Sequence, residues 1–201
     1  LFLRNYRDIA PNVSKEIASH YNDFFTSVNT YSHDRKNFSA DKKLRIGYIS
    51  PDFRQHAIAN FVQPFLRDFD SDNFSVFCYQ TGKKDAVTER LKRNKVSWRD
   101  LSGRNERTTA RIIAEDQIDI LVDLSGHSQN SCLPVMACKP APVQISGIGY
   151  MSTTGMKAMD YFITDEIVDP PGEHEKYFTE KLLNLPCQFC YAHNSDASEP
   201  D

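Results

Sequence analysis

From Leu44 onward, short runs of apolar, β-branched and aromatic residues alternate with longer stretches in which apolar residues recur at helical spacing. Residues 44–50 (LRIGYIS), 74–80, 96–101, 118–124, 143–147 and 161–164 read as strands. Between the first two, Ile58, Phe61, Val62, Phe65, Leu66 and Phe69 fall at i, i+3, i+4, i+7, i+8 and i+11, one face of a helix that Pro64 should kink. Residues 85–95 and 105–116 carry polar helical patterns, and 153–159 reads as a helix between the last two strands. Strands alternating with helices at this spacing imply βαβ units, hence an α/β fold with a mostly parallel sheet and helices on both faces. Upstream, Ile17, Tyr21, Phe24, Phe25 and Val28 mark one face of a separate N-terminal helix over residues 14–30, with Ser14 as its N-cap. Residues 31–43 are polar without periodicity and read as a linker. The expected organisation is therefore a helical junction and linker over 1–43, a sheet domain over 44–191 and a polar tail over 192–201. A first residue of Leu rather than Met, with an unpatterned end, reads as an excerpt from a longer chain.

Composition narrows the function classes. A balance of 24 Lys+Arg against 27 Asp+Glu, net −3, gives no bulk attraction to nucleic acid or anionic lipid. The basic residues between Lys83 and Arg111 have no interleaved aromatic pattern and read as a solvated helix face. No apolar run approaches the roughly 20 residues of a membrane span. A cytoplasmic protein without nucleic-acid or membrane partners is expected. The five Cys are an odd number, and Cys78 sits inside an apolar run, so they read as reduced thiols. Cys187 and Cys190 have the spacing of half a zinc site but no second pair, so no metal and no cofactor are expected.

In an open parallel sheet, ligands bind beyond the carboxyl ends of the strands. Three loops at that edge resemble one another: Ser50-Pro51-Asp52-Phe53-Arg54-Gln55-His56, Asp123-Leu124-Ser125-Gly126-His127-Ser128, and Gly147-Ile148-Gly149-Tyr150-Met151-Ser152-Thr153-Thr154-Gly155. They combine small residues, which let a ligand approach the backbone, with hydroxyls and imidazoles, and two of them lead toward helix N-termini suited to anions. His56 and His127 are the candidates for proton transfer; Asp52, Gly126, Ser128, Gly149, Tyr150, Thr153, Thr154 and Gly155 are the candidates for substrate binding. The plainer alternative for each imidazole is a helix cap or a bond to a loop carbonyl, and for Asp52 and Asp123 the holding of loop amides. No Gly-x-Gly-x-x-Gly fingerprint and no Walker sequence accompanies these loops, which argues against a dinucleotide or nucleoside triphosphate held in the usual way.

As an ordered set, residues 44–56, 120–128 and 140–150, followed by Met159-Asp160-Tyr161-Phe162-Ile163-Thr164-Asp165 and Lys181-Leu182-Leu183-Asn184-Leu185-Pro186, resemble the catalytic region of the O-linked N-acetylglucosamine transferase family, bacterial branch. The resemblance implies a Rossmann-like lobe, the first of two that face each other across a cleft, usually preceded by tetratricopeptide repeats. It implies transfer of N-acetylglucosamine, or another hexose, from a UDP-sugar donor to Ser/Thr hydroxyls of a protein or peptide acceptor, with inversion and no metal. The second lobe would supply most contacts to the diphosphate. His56 falls on the family's active-site histidine of the Asp-Phe-x-x-His loop, and Gly126-His127 on a loop lining the cleft. Residues 149–155 fall on the Gly-Tyr-Pro-Gly-Thr-Ser/Thr-Gly loop near the donor, with Met151-Ser152 in place of Pro-Gly; Ser131-Cys132 replaces a frequent Asn-Arg. Two other readings keep the fold: an Asn-directed glucosyltransferase, and a non-catalytic Rossmann-like peptide-binding module.

Overall fold

The computed structural model describes residues 1, 3, 6–33 and 42–190. An N-terminal helix, α1 (Pro11–Ser19), tightens into a 3₁₀ segment at His20–Phe25. The α/β unit then runs β1 (Leu44–Ser50), α2 (Ala57–Arg67), β2 (Phe74–Gln80), α3 (Ala86–Leu91), β3 (Ser97–Asp100), α4 (Glu106–Glu115), β4 (Ile120–Asp123), α5 (Leu133–Ala137), β5 (Val143–Ser146), β6 (Tyr161–Asp165), a short 3₁₀ turn at Glu175–Tyr177, and β7 (Lys181–Leu185). The seven strands form one sheet in the order β3-β2-β1-β4-β5-β6-β7, with every pairing parallel. This is the α/β, Rossmann-like architecture expected.

Strand parity builds the two cores, because successive side chains point to opposite faces. Ile49, Tyr79 and Leu121 face one side, where they bury against Ala110 and Ile113 of α4 and Leu133 and Met136 of α5. Their neighbours Tyr48, Cys78 and Val122 face the other side, against Ile58, Val62 and Leu66 of α2 and Leu91 of α3. Each such fully buried aliphatic side chain stabilises the fold by about 1.5–3 kcal/mol. The N-terminal segment precedes the sheet as its own element and lies on the α4/α5 side through Tyr21, Phe25 and Val28.

Five local readings change, the first being α5, a helix where the sequence reading has none. α1 begins at Pro11, not Ser14: Ala10 is the N-cap with no side-chain bond, because Pro at the first turn has no N–H to satisfy. α2 runs past Pro64 to Arg67, and Phe69 lies beyond its end. Residues 153–159 form no helix, since the Thr153 and Thr154 side chains are bound to Glu180 and Gly155 takes φ +75°. β7 adds a strand absent from the sequence reading; it pairs along its length with β6, from Tyr161↔Lys181 to Asp165↔Leu185. The 34–41 part of the expected linker and the 192–201 tail lie outside the described residues.

Caps at the carboxyl edge give the fold an acid sensitivity. The Asp85 side chain accepts from the amides of Val87 and Thr88 at the start of α3 and from Gln55 N at 2.7 Å. Asp165 likewise accepts from the amides of Gln188, Val168 and Ile167. These bonds, Gln55 first for Asp85 and Gln188 first for Asp165, hold both carboxyls below the ordinary value of 3.8. A depressed folded-state pKa contributes stability that is present above the unfolded value and lost as pH falls through the folded one. The thermal midpoint should therefore fall as pH drops below about 4, and Asp85→Asn or Asp165→Asn should flatten that fall in melts between about pH 5 and 2.5.

Candidate functional site

The strand order reverses between β1 and β4. β1 feeds α2 and the outward-going β2 and β3; β4 pairs with β1 through Ile49↔Asp123 and starts the outward course the other way. Loops leaving neighbouring strands toward opposite faces open a crevice at this point. His56 stands on one side, His127 on the other.

His56 has extended backbone and is the N-cap of α2; its Nδ1 accepts from Ile58 N at 3.3 Å. In the neutral ring Nε2 then carries the proton, on an exposed side chain. His127 Nε2 faces the Thr154 carbonyl at 2.7 Å; because a carbonyl only accepts, Nε2 donates and Nδ1 carries the lone pair. The His127 ring also meets Tyr21 edge-on at 4.6 Å and Tyr150 at 5.2 Å. Both plainer contacts, the helix cap and the loop carbonyl, are thus made, and they fix opposite tautomers in the two imidazoles.

The two aspartates differ. Asp123, fully buried, does hold its loop: Oδ1 accepts from Ser125 N and Oγ at 3.1 and 2.5 Å, and Oδ2 from Gly126 N at 2.8 Å and Ser146 Oγ at 3.1 Å. Burial nonetheless pushes its pKa up. Asp52 holds no loop amide among the described bonds; its Oδ1 accepts from Arg54 Nε at 3.1 Å and lies 2.9 Å from Nη2. The half-exposed guanidinium lies in the same loop as His56, two residues before it in sequence. Arg54 escaped the sequence reading because only its position inside the Asp-Phe-x-x-His loop marks it.

The remaining candidates are largely turned inward. A Cβ on Gly126 would meet Tyr150 Cβ at 2.2 Å, one on Gly149 the Leu124 carbonyl oxygen at 1.9 Å, and one on Gly155 the Ala18 oxygen at 2.0 Å. Their amides are also engaged, with Asp123, the Gly147 oxygen and Thr153 Oγ1 respectively. Ser128 N bonds the Ser125 oxygen, Tyr150 is buried, and Thr153 and Thr154 bind Glu180. Next to these, Ile148 holds φ +67°, a strained conformation for a β-branched residue, while its side chain is buried in the α2/α3 core. The smallness read as room for a ligand is, at the three glycines, room for the protein's own backbone and aromatic rings.

A cavity of about 720 Å³ opens at the ends of β2 and β3, lined by Thr81, Lys83, Lys84, Arg104, Ser131 and Cys132 and by none of the expected site residues. Cys132 is buried with its thiol pushed up to about 12, by burial first and Asp123 second. Cys187 and Cys190 are exposed free thiols. Much of the basic stretch is paired with acids, as in Lys84–Asp100, Lys92–Glu89, Arg99–Asp116 and Arg111–Glu115.

Most of the chain matches known proteins. Residues 22–196 match the family described as Glycosyl transferase family 41. The chain belongs to that family. It is 42% identical over 164 residues to the probable UDP-N-acetylglucosamine–peptide N-acetylglucosaminyltransferase SPINDLY of Oryza sativa subsp. japonica, covering 79% of this chain and 18% of that protein. It is 35% identical over 163 residues to the UDP-N-acetylglucosamine–peptide N-acetylglucosaminyltransferase of Caenorhabditis elegans, covering 78% of this chain and 14% of that protein. Among solved structures, the K341M mutant of Thermobaculum terrenum O-GlcNAc transferase superposes with a TM-score of 0.84 at 31% identity, covering 92% of this chain and 36% of that one. The family 41 chain thus spans less than a fifth of the length of these curated relatives.

Proposed function

We propose that this family 41 lobe is the acceptor-side half of an inverting protein O-glycosyltransferase that moves N-acetylglucosamine from a UDP-sugar to a Ser/Thr hydroxyl. The observation that carries the reading is the pair of imidazoles set across the β1/β4 crevice in opposite tautomers. His56, exposed and with Nε2–H outward, orients the acceptor hydroxyl; it takes a proton at Nδ1 only by releasing the Ile58 amide. Arg54, held by Asp52, adds a cation to the same loop. The amides of Gly126, Ser128, Gly149, Thr154 and Gly155 are committed within the protein, so they are not a cradle for the diphosphate. That charge falls to a second lobe, and with it most of the stabilisation of the leaving group. In the full-length protein the 11–25 segment would join tetratricopeptide repeats to this lobe, in a cytoplasmic setting where the exposed Cys187 and Cys190 stay reduced.

Two measurements test the reading. The full-length protein, given UDP-N-acetylglucosamine and a Ser/Thr peptide, should yield peptide carrying the sugar by mass spectrometry; no transfer onto a hydroxyl, or transfer onto Asn, would overturn it. Calorimetric titration of residues 1–201 alone with the nucleotide sugar should show no micromolar binding, since half a cleft leaves most of the ligand in water. Micromolar affinity would put the donor site in this lobe after all.

A further inference from the structure

Glu180 immediately precedes β7 and is only 4% exposed. Its Oε1 accepts from Thr154 N at 2.8 Å and from Thr154 Oγ1; its Oε2 accepts from Thr153 Oγ1 at 2.6 Å and Thr179 Oγ1 at 3.0 Å. Thr153 Oγ1 in turn accepts from Gly155 N at 3.2 Å and Thr179 N at 3.1 Å. The loop after β5 is therefore tied to the start of β7, two strands away in the sheet. The same Thr154 offers its carbonyl to His127 Nε2 at 2.7 Å. Three residues, Glu180, Thr154 and His127, form one continuous chain from a buried carboxylate to the crevice.

We propose that Glu180 is a positioning residue for His127, fixing through Thr154 the tautomer and orientation that the imidazole presents to the transfer site. The proposal rests on the reading that His127 works at that site. A carboxylate suits the task because four donors converge on it, one of them an amide that cannot reverse its role. Gln in its place must turn an NH₂ toward either the Thr154 or the Thr153 and Thr179 donors. Thr154 N–H cannot accept, and Thr153 Oγ1 already accepts from two amides, so the 153–155 backbone shifts, and with it the Thr154 carbonyl that accepts from His127 Nε2, while Tyr21 and Tyr150 still pack the ring.

A double-mutant cycle on the full-length protein, with UDP-N-acetylglucosamine and a Ser/Thr peptide, tests this. Glu180→Gln should lower kcat by about 10- to 100-fold in the wild-type background, the usual cost of losing a supporting hydrogen bond behind a working ligand or base. In a His127→Ala background the same change should lower it by less than about twofold, because its target is gone. Equal losses in both backgrounds would make Glu180 part of the scaffold only, and no loss in the wild-type background would dismiss it outright. Should Glu180→Gln prove poorly folded, Thr154→Val, which removes one hydroxyl donor at constant volume, is measured in the same two backgrounds with the same expectations. A His127→Ala enzyme of wild-type activity would overturn the role of His127 and this proposal with it, whereas a wild type that transfers no sugar would refute the functional reading itself.

Discussion

In the full-length enzyme, His56→Ala is expected to lower kcat by about 10²- to 10⁴-fold while donor affinity changes little, the range for a group that handles the proton or orientation of the reacting hydroxyl. The imidazole is exposed at the crevice and belongs to the acceptor side of the reaction as proposed, so its loss should not disturb a diphosphate held elsewhere. It is also the N-cap of α2, through Nδ1 and Ile58 N. Alanine therefore removes a cap, which destabilises a helix by about 1 kcal/mol. His56→Asn separates the two roles, because Asn caps well but has no ring nitrogen to offer. The expected result is a melting temperature restored to the wild-type value with kcat still depressed. Recovery of kcat by Asn would show that the cap alone had mattered.

Elements buried on both faces were legible in the sequence because their patterns need no partner to be read. β1, β2 and β4 are apolar runs whose alternate residues serve two cores, and α2 carries its stripe on one side. β7 was not legible: Lys181-Leu182-Leu183-Asn184-Leu185 lies at the sheet edge with Leu183 partly exposed, so nothing forces a regular alternation. α5 is five residues of wholly apolar sequence between two Cys, too short to show a period. The carboxyl-edge loops were found from residue type and topology, but not what their side chains bind. That Asp52 takes Arg54 while Asp123 takes its loop depends on which donors the fold brings within reach. Glu180 was invisible for the same reason, since Thr154 and Thr153, which link it to the crevice, lie 26 and 27 positions away.

The glycines show this most sharply, and Gly149 yields the last prediction. Its Cα faces the Leu124 backbone, where an added Cβ would stand 1.9 Å from the carbonyl oxygen, 2.8 Å from its carbon and 2.9 Å from Ile58 Cδ1. A side-chain tip could rotate away; the Leu124 carbonyl cannot, because its residue sits directly after β4 and its N–H is bound to the Ile49 oxygen. Gly149→Ala must therefore push apart the loops after β4 and β5, an overpacking cost of about 3 kcal/mol or more. Gly172→Ala provides the comparison: a Cβ there meets nothing within 4 Å, and only its φ of +86° is strained. That substitution should cost about 1–2 kcal/mol. Urea denaturation of the two variants should thus separate them clearly, with Gly149→Ala losing transfer activity in step with its folded fraction. If Gly149 is instead small to admit the nucleotide sugar, its alanine variant will melt like the wild type and show a raised KM for the donor, and the packing account of this loop will be wrong.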